Sequence, residues 1–70
     1  MDMEQIGKRI KEIRTEQGLS QQKFGELLSV SQDTVSLWEN GKSVPTPEIL
    51  IAIATQFEVS IDYILCIKEY

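Results

Sequence analysis

Seventy residues with a formal net charge of −4 are too few to build more than one hydrophobic core, so a single domain spanning 1–70 is expected. With 41% hydrophobic and 26% charged residues, the chain has globular composition and is not of the kind held open by its own charge. There is no apolar run near the roughly 20 residues that span a bilayer, no basic and apolar start of a signal peptide, no histidine and only one cysteine, Cys66; a cytoplasmic protein without disulfide, metal or cofactor is expected.

Ile6, Ile10 and Ile13 recur at helical spacing among Lys8, Arg9, Lys11, Glu12 and Arg14, which predicts a first helix over about 4–17. Gly18 supplies the left-handed stop, and Ser20 then offers its hydroxyl to the amides of a second helix. Phe24, Leu27 and Leu28 form the apolar stripe of that helix, with Lys23 and Glu26 outward. It must end quickly, because a new cap arrives at Ser31. A third helix over Gln32–Asn40 sorts Thr34, Val35 and Trp38 to one side and Gln32, Asp33, Ser36 and Leu37 to another. Asn40-Gly41 is a stop, and the extended Val44-Pro45-Thr46-Pro47 ends in a threonine cap with proline at the first helical position. The fourth helix is therefore placed over 47–57. Its stripe is Ile49, Leu50, Ile53 and Phe57, and Ile51, Ala52 and Ala54 widen it enough to imply burial on more than one side. Ser60 caps a short fifth helix from Ile61 to about Cys66, and no strand pattern appears. The expected fold class is all-α, with five helices.

Two short helices joined by about three residues, over roughly 20–40, have the spacing of a helix-turn-helix. Spacing alone fits a plain bundle hairpin as well. The chemistry of the third helix favours a reading surface, since Gln32, Asp33 and Ser36 are short or forked hydrogen-bonding side chains at its amino end. Glutamine can bond adenine twice, aspartate accepts from cytosine, and serine suits several partners. Helix amino ends aim free amides at phosphate, which makes Gln21 and the Asn40-Gly41-Lys42 turn natural clamps for a nucleic-acid backbone. Val35 and Trp38 read as core. There are no parts for a catalytic site, so no enzyme is expected.

The run Leu19-Ser20-Gln21, Phe24-Gly25, Leu28, Val30-Ser31, Val35, Trp38-Glu39-Asn40-Gly41-Lys42 and Pro45, with the tail Phe57 to Leu65, resembles the Cro and phage-repressor type helix-turn-helix family, the XRE family. The resemblance covers about Ile6 to Leu65. It implies a compact five-helix fold like that of lambda repressor, which binds a double-stranded operator as a two-fold homodimer on a palindrome and regulates transcription as a repressor of bacterial or phage type. Carried onto these positions, it makes Gln32 and Asp33 the principal base readers, with Ser36 and Leu37 beside them. Gln21, Ser31, Thr34, Asn40, Lys42 and Ser43 fall against the backbone. Arg14 and Glu39 match a pair that ties the first helix to the third. Three features depart from the usual pattern: uncharged residues after Lys42, the acidic Asp33 and the outward Leu37, which suits a thymine methyl or a protein.

Ile61, Ile64, Leu65, Ile67 and Tyr70 are more apolar side chains than one small core hides, so a dimer through a tail over about 60–70 is expected, with Ile61, Ile64, Ile67 and Tyr70 in the contact. The competing class is a protein-interaction module on the same scaffold, an antitoxin or an anti-repressor partner. Acidic charge weighs against DNA, but it is uneven: residues 1–44 carry a net −1 and residues 45–70 a net −3. Most of the excess falls outside the predicted reading surface.

Overall fold

Five helices follow in the expected order in the computed structural model, which describes residues 2–68. They are α1 (Met3–Glu16), α2 (Gln21–Leu28), α3 (Gln32–Glu39), α4 (Pro47–Phe57) and α5 (Ile61–Ile64). Each begins where a short polar side chain satisfies an amide that the first turn leaves unpaired. Ser20, Ser31, Thr46 and Ser60 accept from the amides of Lys23, Thr34, Ile49 and Tyr63, and Asp2 accepts from Glu4 and Gln5. Among the described residues, no helix is long and apolar enough to cross a membrane.

The helices also end alike. After α3, Gly41 turns left-handed (φ 71°), its amide donating to the Trp38 carbonyl and that of Lys42 to the Leu37 carbonyl. This paired closure uses two of the carbonyls that the last turn leaves open. α2, α4 and α5 make the same left-handed exit without glycine, at Ser29 (φ 60°), Glu58 (φ 55°) and Cys66 (φ 62°). An L side chain crowds its own carbonyl there. Ser29→Gly is therefore expected to raise stability by about 0.5–1 kcal/mol, read as an upward shift of the urea midpoint with an unchanged slope; an unchanged or lower midpoint would contradict it.

The core takes residues from every helix: Ile6, Ile10 and Ile13 of α1, Phe24 and Leu28 of α2, Val35 and Trp38 of α3, Ile53 of α4 and Ile64 of α5. Phe24 stacks on Phe57 with ring centroids 5.3 Å apart, joining α2 to α4. Arg9 joins α1 to α5, donating to the Tyr63 carbonyl at 2.7 Å with its guanidinium 4.0 Å from the ring centroid.

Four expectations need correction. Leu27 is not part of the buried stripe of α2 but 42% exposed, because Phe24 and Leu28 already face the core and α2 is covered on one side only. Ile51 likewise points to solvent at 55% exposure, so α4 is buried on one side. α5 stops at Ile64 rather than Cys66, since Cys66 has turned left-handed. Ile64 itself is fully buried beneath the other helices and is withdrawn from the dimer contact. Of the remaining tail residues, Ile61 is half-buried, Ile67 is exposed, and Tyr70 lies outside the described residues.

Candidate nucleic-acid interface

α2 and α3 are joined by Ser29, Val30 and Ser31, and the turn is fixed from both ends. The Val30 amide donates to the Gly25 carbonyl at 2.9 Å, and the Ser31 hydroxyl accepts from the Thr34 amide at 3.1 Å while sharing a bond with the Thr34 hydroxyl at 3.0 Å. With Val35 and Trp38 inward, α3 can only present the opposite side. Gln32 and Asp33 are exposed, Ser36 is half-buried and Leu37 is 48% exposed. All four predicted readers thus lie on one outward stripe of a helix whose amino end is capped. Asp33, in the first turn, also sits where a carboxylate complements the helix dipole.

A second set of bonds fixes how α3 stands against α1 and α2. Arg14 grips Glu39 with two nitrogens, Nε to Oε2 at 2.6 Å and Nη2 to Oε1 at 3.0 Å, and donates Nη1 to the Leu19 carbonyl at 2.8 Å. Gln21 Nε2 donates to Glu39 Oε1 at 3.1 Å. The Glu39 carboxylate at the end of α3 therefore holds α1 and the first residue of α2 together, and Arg14 in turn holds the chain before α2 through the Leu19 carbonyl. The fork of a guanidinium suits this geometry, and its side chain and that of Glu39 are only 12% and 4% exposed. Hydrogen bonding to Glu39 raises the Arg14 pKa above its ordinary value; burial opposes the rise and Coulombic attraction adds to it. The stability contributed by the Arg14 charge is fully present below the ordinary arginine range and is lost only as pH rises above it, so that charge brings no pH dependence near neutrality.

The predicted backbone contacts gather around this stripe. Gln21 uses one amide proton on Glu39 and keeps the other; the Gln21 and Gln22 backbone amides, in the first turn of α2, have no acceptor inside the helix. Ser31, Asn40 and Lys42 are exposed, and Thr34 and Ser43 are half-buried. Asn40 Nδ2 donates to Ser36 Oγ at 3.2 Å, which orients both side chains at the carboxyl end of α3. The link from Gln21 to Glu39 is the feature that sequence reasoning missed, since 18 residues separate two side chains read as serving different purposes. The tail residues Ile61 and Ile67 belong to α5 and its exit, and α5 packs against α1 and α4.

Comparison with known proteins agrees with this geometry. A family model described as Helix-turn-helix matches residues 10–64. The HTH-type transcriptional activator BcrR of Enterococcus faecalis is 35% identical over 65 residues, covering 93% of this chain and 32% of that protein. Antitoxin PezA of Streptococcus pneumoniae is 36% identical over 55 residues, covering 79% of this chain and 35% of that protein. The chain thus spans about a third of the length of these two relatives. The crystal structure of the P22 c2 repressor protein in complex with synthetic operator 9T matches with a TM-score of 0.78 at 30% identity, covering 84% of this chain and 89% of that one. On the matched span and the shared five-helix fold, this chain belongs to the Cro and phage-repressor type (XRE) helix-turn-helix family.

Proposed function

We propose that the chain is a sequence-specific DNA-binding transcriptional regulator, a repressor of bacterial or phage type, acting in the cytoplasm and doing no catalysis of its own. The carrying observation is the outward stripe Gln32, Asp33, Ser36 and Leu37 on a capped α3, held in fixed register to the amino end of α2 by Glu39. In this reading the free amides and side chain of Gln21 meet phosphate on one flank, and Asn40, Lys42 and Ser43 meet it on the other, with Ser31 and Thr34 near the backbone between them. α3 then enters the major groove, and its stripe chooses the bases. Repression needs only occupancy, because a protein seated on a promoter excludes polymerase.

Two copies fit this reading better than one. A dimer spaces its recognition helices about one DNA turn, roughly 34–36 Å, apart and reads a palindrome. Ile61 and the exposed Ile67 are the described apolar residues proposed for that contact, and a small core gains stability from it. A second reading, an interaction module with a protein partner, is favoured by the likeness to antitoxin PezA.

A fluorescence anisotropy titration across salt separates the two. DNA binding through phosphates predicts that log affinity falls linearly with log salt. Gln32→Ala should weaken the best duplex by about 1–3 kcal/mol and flatten preference at one base pair per half-site. Absent or salt-independent binding to every duplex would favour the protein-partner reading instead.

A further inference from the structure

Leu37 is the single apolar member of the outward stripe, 48% exposed, with Asp33 one turn before it, Ser36 beside it and Asn40 after it. Resting on the DNA-binding reading, we propose that Leu37 reads the C5-methyl group of a pyrimidine, thymine or 5-methylcytosine, close to the base whose exocyclic amino group Asp33 accepts from.

Leucine has no hydrogen-bonding atom beyond its backbone, and the C5-methyl is the apolar group that base edges present in the major groove. A protein-docking surface gathers contiguous apolar area and is poor in charge at its centre. Leu37 instead stands among a carboxylate, a hydroxyl and an amide, groups suited to base edges and phosphates. Its backbone is held, because the Lys42 amide donates to the Leu37 carbonyl at 2.9 Å in the closure of α3. The side chain therefore projects from a fixed point. Ser36, next to it, already accepts from Asn40, which leaves the serine proton to donate to a base acceptor.

Asp33 supplies the complementary half. Ionised, it only accepts, so it is rewarded by an amino group on cytosine or adenine and repelled by the acceptor edges of guanine and thymine. Four residues of helix rise about 6 Å, and base pairs stack about 3.4 Å apart, so Asp33 and Leu37 fall within about two base steps of each other. An amino group for Asp33 and a nearby methyl for Leu37 is a joint requirement that few sequences meet. It offsets the lack of cations in the stretch from Ser43 to Pro47, just after Lys42.

The test uses the duplex chosen by the protein from a random pool, remade with each thymine replaced singly by deoxyuridine and, separately, with each cytosine replaced by 5-methylcytosine. Anisotropy affinities are measured for the wild type and for Leu37→Ala, whose fold is checked by circular dichroism; the exposed position makes folding safe. If thymine is the source, one uridine substitution per half-site weakens wild-type binding by about fourfold, the worth of one buried methyl, and leaves Leu37→Ala unmoved. If 5-methylcytosine is the source, methylation at one position tightens the wild type by a similar factor, and again only the wild type. Identical responses of the two proteins to every methyl change would overturn the proposal while leaving DNA recognition standing. Failure of any duplex to be selected would overturn the DNA-binding reading and this proposal with it.

Discussion

Gly7→Ala should be the most damaging conservative change in the chain, costing about 3–5 kcal/mol by forcing overpacking where nothing flexible can yield. α1 crosses α3 with Gly7 against the backbone: a methyl group there would overlap the Trp38 carbonyl oxygen and press on the Glu39 carbonyl oxygen at 3.1 Å. The obstacles belong to the last turn of α3. Relief would require α1 to lift away from α3, and Ile6, Ile10, Val35 and Trp38 would separate with it. For a domain of this size the loss corresponds to roughly 15 °C or more in melting temperature. Gly18→Ala is the control, because a methyl there meets nothing and only the left-handed backbone (φ 69°) resists it. A Gly7→Ala melting point no lower than that of Gly18→Ala would refute the close approach.

Removing Glu39 is expected to cost about 2–4 kcal/mol, since it strands a poorly exposed guanidinium that loses two of its bonds. The Arg14 bond to the Leu19 carbonyl survives, which keeps the loss below that of a fully buried charge. Gln21 also loses its acceptor. The double variant Arg14→Met with Glu39→Leu should recover most of this stability, because no charge is left without a partner. It should not recover DNA affinity, because the register of α3 against the amino end of α2 depends on Glu39. Urea unfolding of the two single variants and the double variant, read beside their DNA affinity, separates the two roles. Strict additivity of the stability losses would show that the pair is not coupled.

The starts of the helices were legible because each start has its own chemistry. Ser20, Ser31, Thr46 and Ser60 sit immediately ahead of the apolar periodicity that they cap, and all four cap in the structure. The end of α2 was legible from the next cap at Ser31 and that of α4 fell at Phe57 as expected, but the end of α5 was not legible, because Cys66 takes a left-handed conformation that glycine would have signalled and cysteine does not. Periodicity says which residues share a face but not how wide a neighbour is, which is why Leu27 and Ile51 read as core and Ile64 as surface. The outward stripe of α3 was legible for the same reason that its core face was: eight residues at helical spacing separate cleanly into two sides. The junction of Gln21, Arg14 and Glu39 needed three dimensions, since its members come from three separate stretches of chain.

On the proposed DNA-binding reading, a chain whose charge is so weakly suited to DNA gains its affinity from few phosphates, oriented amides and base contacts, and from two copies acting together. Selection from a pool of random duplexes tests this most directly. The wild type should enrich a palindrome whose half-sites lie about one helical turn apart, and Gln32→Ala should enrich the same palindrome relaxed at one base pair in each half. A pool that shows no enriched sequence, or one that Gln32→Ala enriches unchanged, would contradict the assignment of α3 as the reading element.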